Sequence, residues 1–348
     1  MIVIYEIIST QNNVIEEIVK RGYDRPSKKN HTFTQEGRSD YIRDLKYALS
    51  YLELAISLKN SSVFIDYLRW IKILLKSYNI DQSDITSKIK ITLDVLKKTY
   101  KQALHPDIEK YLNLALEILP TLDAYTIYEK VDFGKYNNIC AKILGALLNL
   151  DKNKASEIAL DNLHQNKFTI KELYMKIFSP ILYELGRLSH LNKITVAQEH
   201  YCAAHIQWIM TRLYPEIFGG KKNGLKFIGV CVEGELHEIG IRMICDFLEI
   251  EGWDTYFLGS NIPIKDFINT IEKINPDLIG ISCTMTFNIE YTKCLITSIR
   301  NEYQCKNISI AVGGYAFNLT DDLWKYVGAD IFESDADKFC NAIKERFK

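Results

Sequence analysis

A carboxylate two residues ahead of a histidine, Glu235 and His237, is the pair whose types and spacing best suit chemistry. At that spacing Glu235 can accept a hydrogen bond from one ring nitrogen. That bond fixes the tautomer and leaves the other nitrogen free to bind a metal. Neutral imidazole is a good ligand for a borderline transition metal, and a carboxylate behind it raises its basicity. Taken alone, His237 reads more readily as an ordinary loop residue, so its setting must decide. The run Leu225 to Val232 is short, apolar and rich in β-branched and aromatic side chains. That is the pattern of a strand buried on both faces of a parallel sheet. After it, Ile241, Ile244, Cys245 and Leu248 recur at helical spacing. His237 therefore falls in a loop at the carboxyl end of a strand, where open α/β sheets bind ligands.

The elements that must position this loop follow in order. Strands are expected at 225–232, 254–258, 277–282, 307–312 and 330–332. Helices are expected near 239–251, 264–274, 289–303, 320–326 and 335–346. Strand followed by helix throughout predicts a parallel, doubly wound, Rossmann-like (flavodoxin-like) sheet with right-handed crossovers. No Gly-x-Gly-x-x-Gly fingerprint and no P-loop occurs at the first turn, which argues against a nicotinamide or nucleotide enzyme. Gly240, Ser282, Thr284, Gly313 and Gly314 stand on the expected loops. Singly, a glycine pair reads as a turn and Ser282 as a strand-end cap.

Together these residues carry a resemblance. Glu235-Leu236-His237-Glu238-Ile239-Gly240 resembles the Asp-x-His-x-x-Gly motif of the cobalamin-binding family. That family's Ser-x-Thr segment and Gly-Gly pair have counterparts, in order, in Ser282-Cys283-Thr284 and Gly313-Gly314. The resemblance covers residues 224–348 and implies a cobalamin held base-off, with His237 as the lower axial ligand. It also implies that the nucleotide tail lies along Gly313 and Gly314, with Ser282 bonding the buried base and Gly240 letting the helix start close to the ring. Glu235 departs from the Asp of the methyl-transfer members and looks like the light-sensing variant.

Residues 126–218 read as a four-helix-bundle cap, with helical stretches at 139–148, 155–164, 170–191 and 196–213. Thr195-Val196-Ala197-Gln198 reads as a capping box and Asn192 as the residue ending the preceding helix. Leu185 to His190, followed by Ile194 to His200, resembles the helical cap of cobalamin-dependent photoreceptors. That resemblance implies that Val196, Glu199 and His200 line the upper face and that His190 is a candidate upper cobalt ligand. Ser189 stands where that family has Trp, which opens room above the ring and puts adenosylcobalamin in doubt. A bilin such as biliverdin beside the cobalamin is one way to use such space.

Residues 1–125 read as a separate all-helical domain. One helix is expected over 1–24 and a polar loop over 25–37. Further helices are expected from Ser39 to Ile56, capped afresh at Asn60-Ser61-Ser62 for 64–75, then over 85–100 and from Pro106 to Pro120. The chain has 348 residues, a net charge of −1 and 25% charged residues, so no nucleic-acid surface is expected. Eight cysteines are scattered without a Cys-x-x-Cys pair, as expected of reduced core thiols in a cytoplasmic protein. The apolar Met1 to Ile8 is too short for a membrane span and lacks a signal peptide's basic lead. The expected function is a cobalamin-binding light sensor that signals through a protein partner or homo-oligomer. The alternatives are a corrinoid methyl carrier of a methyltransferase system and a light-independent cobalamin sensor.

Overall fold

The computed structural model describes residues 12–23, 35–122, 130–302 and 308–347. It divides into two compact units: Met1–Glu129 with His190–Asn192, and Lys130–Ser189 with Lys193–Lys348.

The first unit contains α1 (Asn12–Gly22), α2 (Gln35–Ser57), α3 (Ser62–Ser77), α4 (Gln82–Tyr100) and α5 (Pro106–Ile118). Its core draws on Ile18, Leu49, Leu52, Leu68, Leu96 and Ile108. Local chemistry sets the starts. The Asp81 carboxylate accepts the Ser83 N–H to cap α4. Ahead of Pro106, the His105 ring accepts the Asp107 N–H to cap α5. At the expected Asn60-Ser61-Ser62 cap the acceptor is Asn60, 3.0 Å from the Ser62 nitrogen, and Ser61 makes no side-chain cap bond. Of the helix expected over 1–24, the part before Asn12 lies outside the described residues, as does most of the loop expected over 25–37. Helix α2 opens at Gln35, earlier than the apolar periodicity alone indicates.

The second unit begins with α6 (Asn137–Leu148) and α7 (Lys152–His164). The rod α8 joins Ile170–Glu172, a π-helical stretch Leu173–Phe178 and Ser179–His190. Then come α9 (Val196–Arg212) and the short α10 (Tyr214–Ile217). Reciprocal capping boxes open α8 at Thr169 with Glu172 and α9 at Thr195 with Gln198. Asn192 takes a positive φ of 53° in the turn between them, as its type predicts. The π-helical stretch is the difference from the uninterrupted helix expected over 170–191. A π turn frees a carbonyl from the regular ladder, and the Cys140 thiol donates to Lys176 O at 3.7 Å.

The sheet follows: β1 (Lys226–Cys231), β2 (Asp254–Gly259), β3 (Leu278–Ser282), β4 (Ser309–Gly313) and β5 (Ile331–Phe332). Its helices are α11 (Ile239–Ile250), α12 (Ile264–Ile274), α13 (Ile289–Asn301), α14 (Leu323–Val327) and α15 (Ala336–Arg346). All pairings are parallel, in the order β2-β1-β3-β4-β5. This is a helical cap with a Rossmann-like sheet domain. The register sets Cys231 against Ser282 and Ser282 against Gly313, so β1, β3 and β4 end in one row. One apolar cluster runs through cap and sheet, from Cys140, Ile177 and Met210 to Phe227, Leu248 and Ile343. The basic stretch after Phe218 is pinned: Lys222 Nζ donates to Trp253 O at 2.8 Å and the Asn223 N–H to Gly252 O at 2.7 Å. Among the described residues, no helix is long and apolar enough to cross a membrane.

Candidate metal centre

Strand order reverses between β1 and β3, because the connection from β1 leads outward to β2 and the next returns past it. A crevice opens at such a switch point, outside the carboxyl ends of the two strands. Its walls are residues 232–238 after β1 and 283–288 after β3.

Glu235 joins the two walls. Its side chain is fully buried. One carboxylate oxygen accepts His237 Nδ1–H at 2.5 Å and the His237 backbone N–H at 3.0 Å. The other accepts the Thr284 and Met285 backbone N–H groups, each at 2.8 Å, and Asn288 Nδ2 at 3.5 Å. Burying a bare carboxylate costs several kcal/mol, which only such a set of charge-assisted bonds can offset. Burial pushes the Glu235 pKa up. Bonding to the His237 ring and to the Met285 and His237 amides outweighs it and holds the group at about 2. The Glu235 hydrogen bond raises His237 above its ordinary value against the opposing effect of burial, and the Glu235 and Glu199 charges add to the rise. Both shifts say the same thing: the carboxylate stays ionised and the ring keeps its Nδ1 proton.

The other face of the ring is open. His237 is 53% exposed, and among the described residues no hydrogen-bond partner meets Nε2. Beside it Leu236 is 68% exposed and, at the first turn of α9, Val196 is 56% exposed. A Cβ added at Gly240 or Gly313 meets no atom within 4 Å. Gly314 has a different reason. Its φ is 102°, and a Cβ there would lie 2.3 Å from Cys283 O, so glycine alone lets the chain after β4 pass the loop after β3. Ser282 is buried at the end of β3, within hydrogen-bond reach of the Cys231 thiol. Thr284 serves through its backbone N–H.

The cap contributes unequally. Glu199 is half-buried on α9 and near enough to bear on the His237 charge, while His200 is exposed. His190 clusters with the first unit, its ring stacked on Trp70 at 4.9 Å. Burial lowers its pKa to about 4, against a hydrogen bond at Trp70, so it stays neutral. The geometry thus gathers Glu235, His237, Thr284 and Glu199, and leaves His190 on a different neighbour. It adds Met285 and Asn288, which the sequence reading missed. Asn288 precedes α13 and looks like a helix cap, yet its side chain makes no cap bond. Asn261 was missed too; its Oδ1 accepts the Gly234 N–H at 3.0 Å.

Among the described residues, no three His, Cys, Asp or Glu side chains come together as a metal-binding group. A lone imidazole does not hold a bare transition ion, so a metal bound here must bring most of its ligands with it. One buried orienting carboxylate, an open Nε2, apolar exposed neighbours and bare glycines fit a broad macrocycle.

Comparison with known proteins points the same way. Two family models match, each described as a B12 binding domain, over residues 225–343 and residues 139–214. The chain is 31% identical over 133 residues to the dimethylamine corrinoid protein of Methanosarcina barkeri, covering 38% of this chain and 61% of that one. It thus spans about three-fifths of that relative's length. It is 27% identical over 216 residues to trimethylamine corrinoid protein 1 of Methanosarcina mazei, covering 59% of this chain and 95% of that one. In fold it is similar to the monomethylamine corrinoid protein of Methanosarcina barkeri. There the TM-score is 0.53 at 21% identity, over 60% of this chain and 99% of that one.

Proposed function

We propose, from the premise that residues 139–214 and 225–343 are B12-binding domains, that the protein carries a corrinoid whose cobalt takes up and hands on a methyl group. One observation bears most of the weight. The Glu235 carboxylate fixes the His237 ring by Nδ1 and leaves Nε2 exposed at the switch point of the sheet. His237 would be the lower ligand of the cobalt. Glu235, Leu236, Gly240, Ser282 and Thr284 would hold the lower side, and Gly313 and Gly314 the tail. Val196, Glu199 and His200 would face the upper side from α9. The corrinoid, when bound, supplies a cobalt that accepts and releases an alkyl group. The chain's own part is to fix the ring, hold its Nδ1–H as a donor to the ionised Glu235, and present apolar surface.

The names of the relatives favour the carrier over the light sensor, and favour methylamines as the source of the methyl group. Neither light sensing nor a bilin finds a counterpart among the relatives named here. A second reading survives on one observation: Glu199 and His200, on the first turns of α9, resemble the sensor cap. In that reading His190 would have to leave Trp70 before it met cobalt. One experiment separates the two. The protein is loaded with methylcobalamin in the dark, then either illuminated or given a corrinoid-dependent methyltransferase and a thiol acceptor. Demethylation by the enzyme alone supports the carrier. A stable photoproduct with a new axial ligand supports the sensor, and failure to take up any corrinoid refutes both.

A further inference from the structure

One guanidinium bridges the cap and the sheet domain. Arg242 lies on α11, one turn after His237, and is buried. Its Nη1 donates to Gln207 Oε1 at 2.9 Å; its Nη2 donates to Thr211 Oγ1 at 2.6 Å and to the Tyr214 hydroxyl at 2.9 Å. The acceptors sit at i, i+4 and i+7 on one face of α9 and the start of α10. The same Gln207 amide turns its nitrogen to Glu238 Oε1, 3.5 Å away, on the residue that follows His237. One turn along α11, Asp246 accepts the Tyr174 hydroxyl at 2.9 Å. Tyr174 belongs to the π-helical stretch of α8, so a second cap helix is tied to the same face of α11.

Directional bonds and apolar packing fix different things. The apolar cluster beneath these groups favours burial but scarcely distinguishes one helix register from the next, since the hydrophobic effect has no direction. A planar guanidinium with fixed donor directions does distinguish them. Slipping α9 by one residue, about 1.5 Å along its axis with a turn of about 100°, carries Gln207 and Thr211 off the fork. Val196, Glu199 and His200 lie on the same helix as Gln207 and Thr211, so whatever sets the register of α9 sets where they stand relative to the His237 loop.

We infer that Arg242, with Tyr174 and Asp246, is a positioning centre that fixes the register of cap helices α8 and α9 against α11. The inference rests on the cobalamin reading only for its consequence at the upper face. The register itself is a property of the chain without cofactor. The test is hydrogen exchange of the full-length, cofactor-free protein, with thermal unfolding run in parallel. Arg242→Met keeps the bulk and removes the fork. Arg242→Met leaves three acceptors unpaired and Asp246 without its nearby cation, so the midpoint should fall. Beyond that general loss, protection over residues 196–207 and 233–240 should fall on the order of tenfold more than in the rest of the sheet domain. Tyr174→Phe should do the same over residues 173–185, and it remains informative if Arg242→Met does not fold. Unchanged protection at 196–207 with a folded variant overturns the inference. So does a uniform loss across cap and sheet that merely follows a lowered midpoint. A parallel titration with hydroxocobalamin keeps the two readings apart. If the wild-type protein binds none, the proposed function fails while the exchange result still decides the register.

Discussion

Glu235 serves two masters at the residue scale: it orients His237, and it ties the loop after β1 to the backbone after β3. Glu235→Ala should therefore do more than detune a ligand. It orphans three backbone N–H groups and the ring N–H, and should cost about 2–4 kcal/mol in chemical denaturation. Glu235→Gln keeps the shape but loses the charge, and should cost less while weakening cobalt ligation. A smaller effect of Glu235→Ala than of Glu235→Gln would contradict this account. The pair also predicts a pH dependence. Burial would raise Glu235, yet its bonds hold it near 2, below the ordinary 4.5. Its contribution is complete above about 4.5 and is lost as pH falls toward 2. His237 shifts the other way, so its share is present below its ordinary value of 6.5 and fades as pH rises through the raised one. Acid titrations of the wild-type protein and of Glu235→Gln, compared by midpoint, check both signs.

Elements place these residues. Asp246 shows what a helix face carries when it must meet another helix. Burial lifts its pKa to about 6 against the Tyr174 hydrogen bond and the Arg242 charge, with Glu249 adding to the rise. A raised carboxyl stabilises the fold most below its ordinary value of 3.8, and that contribution is lost as pH rises through 6. Asp246→Asn keeps an acceptor for Tyr174, and above pH 7 it should stabilise the protein by about 1–3 kcal/mol. A loss of stability there would mean that the Arg242 counter-charge outweighs burial. Much at this scale was legible in the sequence. The five strands fall within about two residues of their expected bounds, because short β-branched runs between helical periods admit one reading. The Thr195 capping box was legible for the same local reason. The π-helical stretch was not, since Leu173–Phe178 keeps a regular apolar spacing and the cause lies in tertiary contacts. Asn288 was hidden by looking like a cap. Glu235's grip on Thr284 and Met285 was invisible because backbone amides carry no side-chain signature.

The whole molecule consists of two units, each with its own core, and the candidate site lies in the second. Residues 130–348 should therefore fold alone and bind hydroxocobalamin within about threefold of the full chain's affinity, by absorbance titration. Insoluble or non-binding protein would show that the first unit is part of the site. His190, stacked on Trp70, belongs to the sensor reading's test. If His190→Ala leaves the spectrum of bound cobalamin unchanged before and after illumination, the upper-ligand role is gone. The expected split into residues 1–125, 126–218 and 224–348 is finer than the two units, since the second unit holds cap and sheet around one apolar cluster.

The central claim is that His237 is the ligand beneath a protein-held cobalt, and electron paramagnetic resonance tests it most directly. The protein would be loaded with cobalamin, reduced to the Co(II) state, and compared in unlabelled and ¹⁵N-histidine-labelled forms. The account predicts that histidine labelling changes the nitrogen splitting from a triplet to a doublet pattern, and that His237→Ala abolishes the change. A splitting indifferent to histidine labelling would mean that the cofactor keeps its own base, and the account would be wrong.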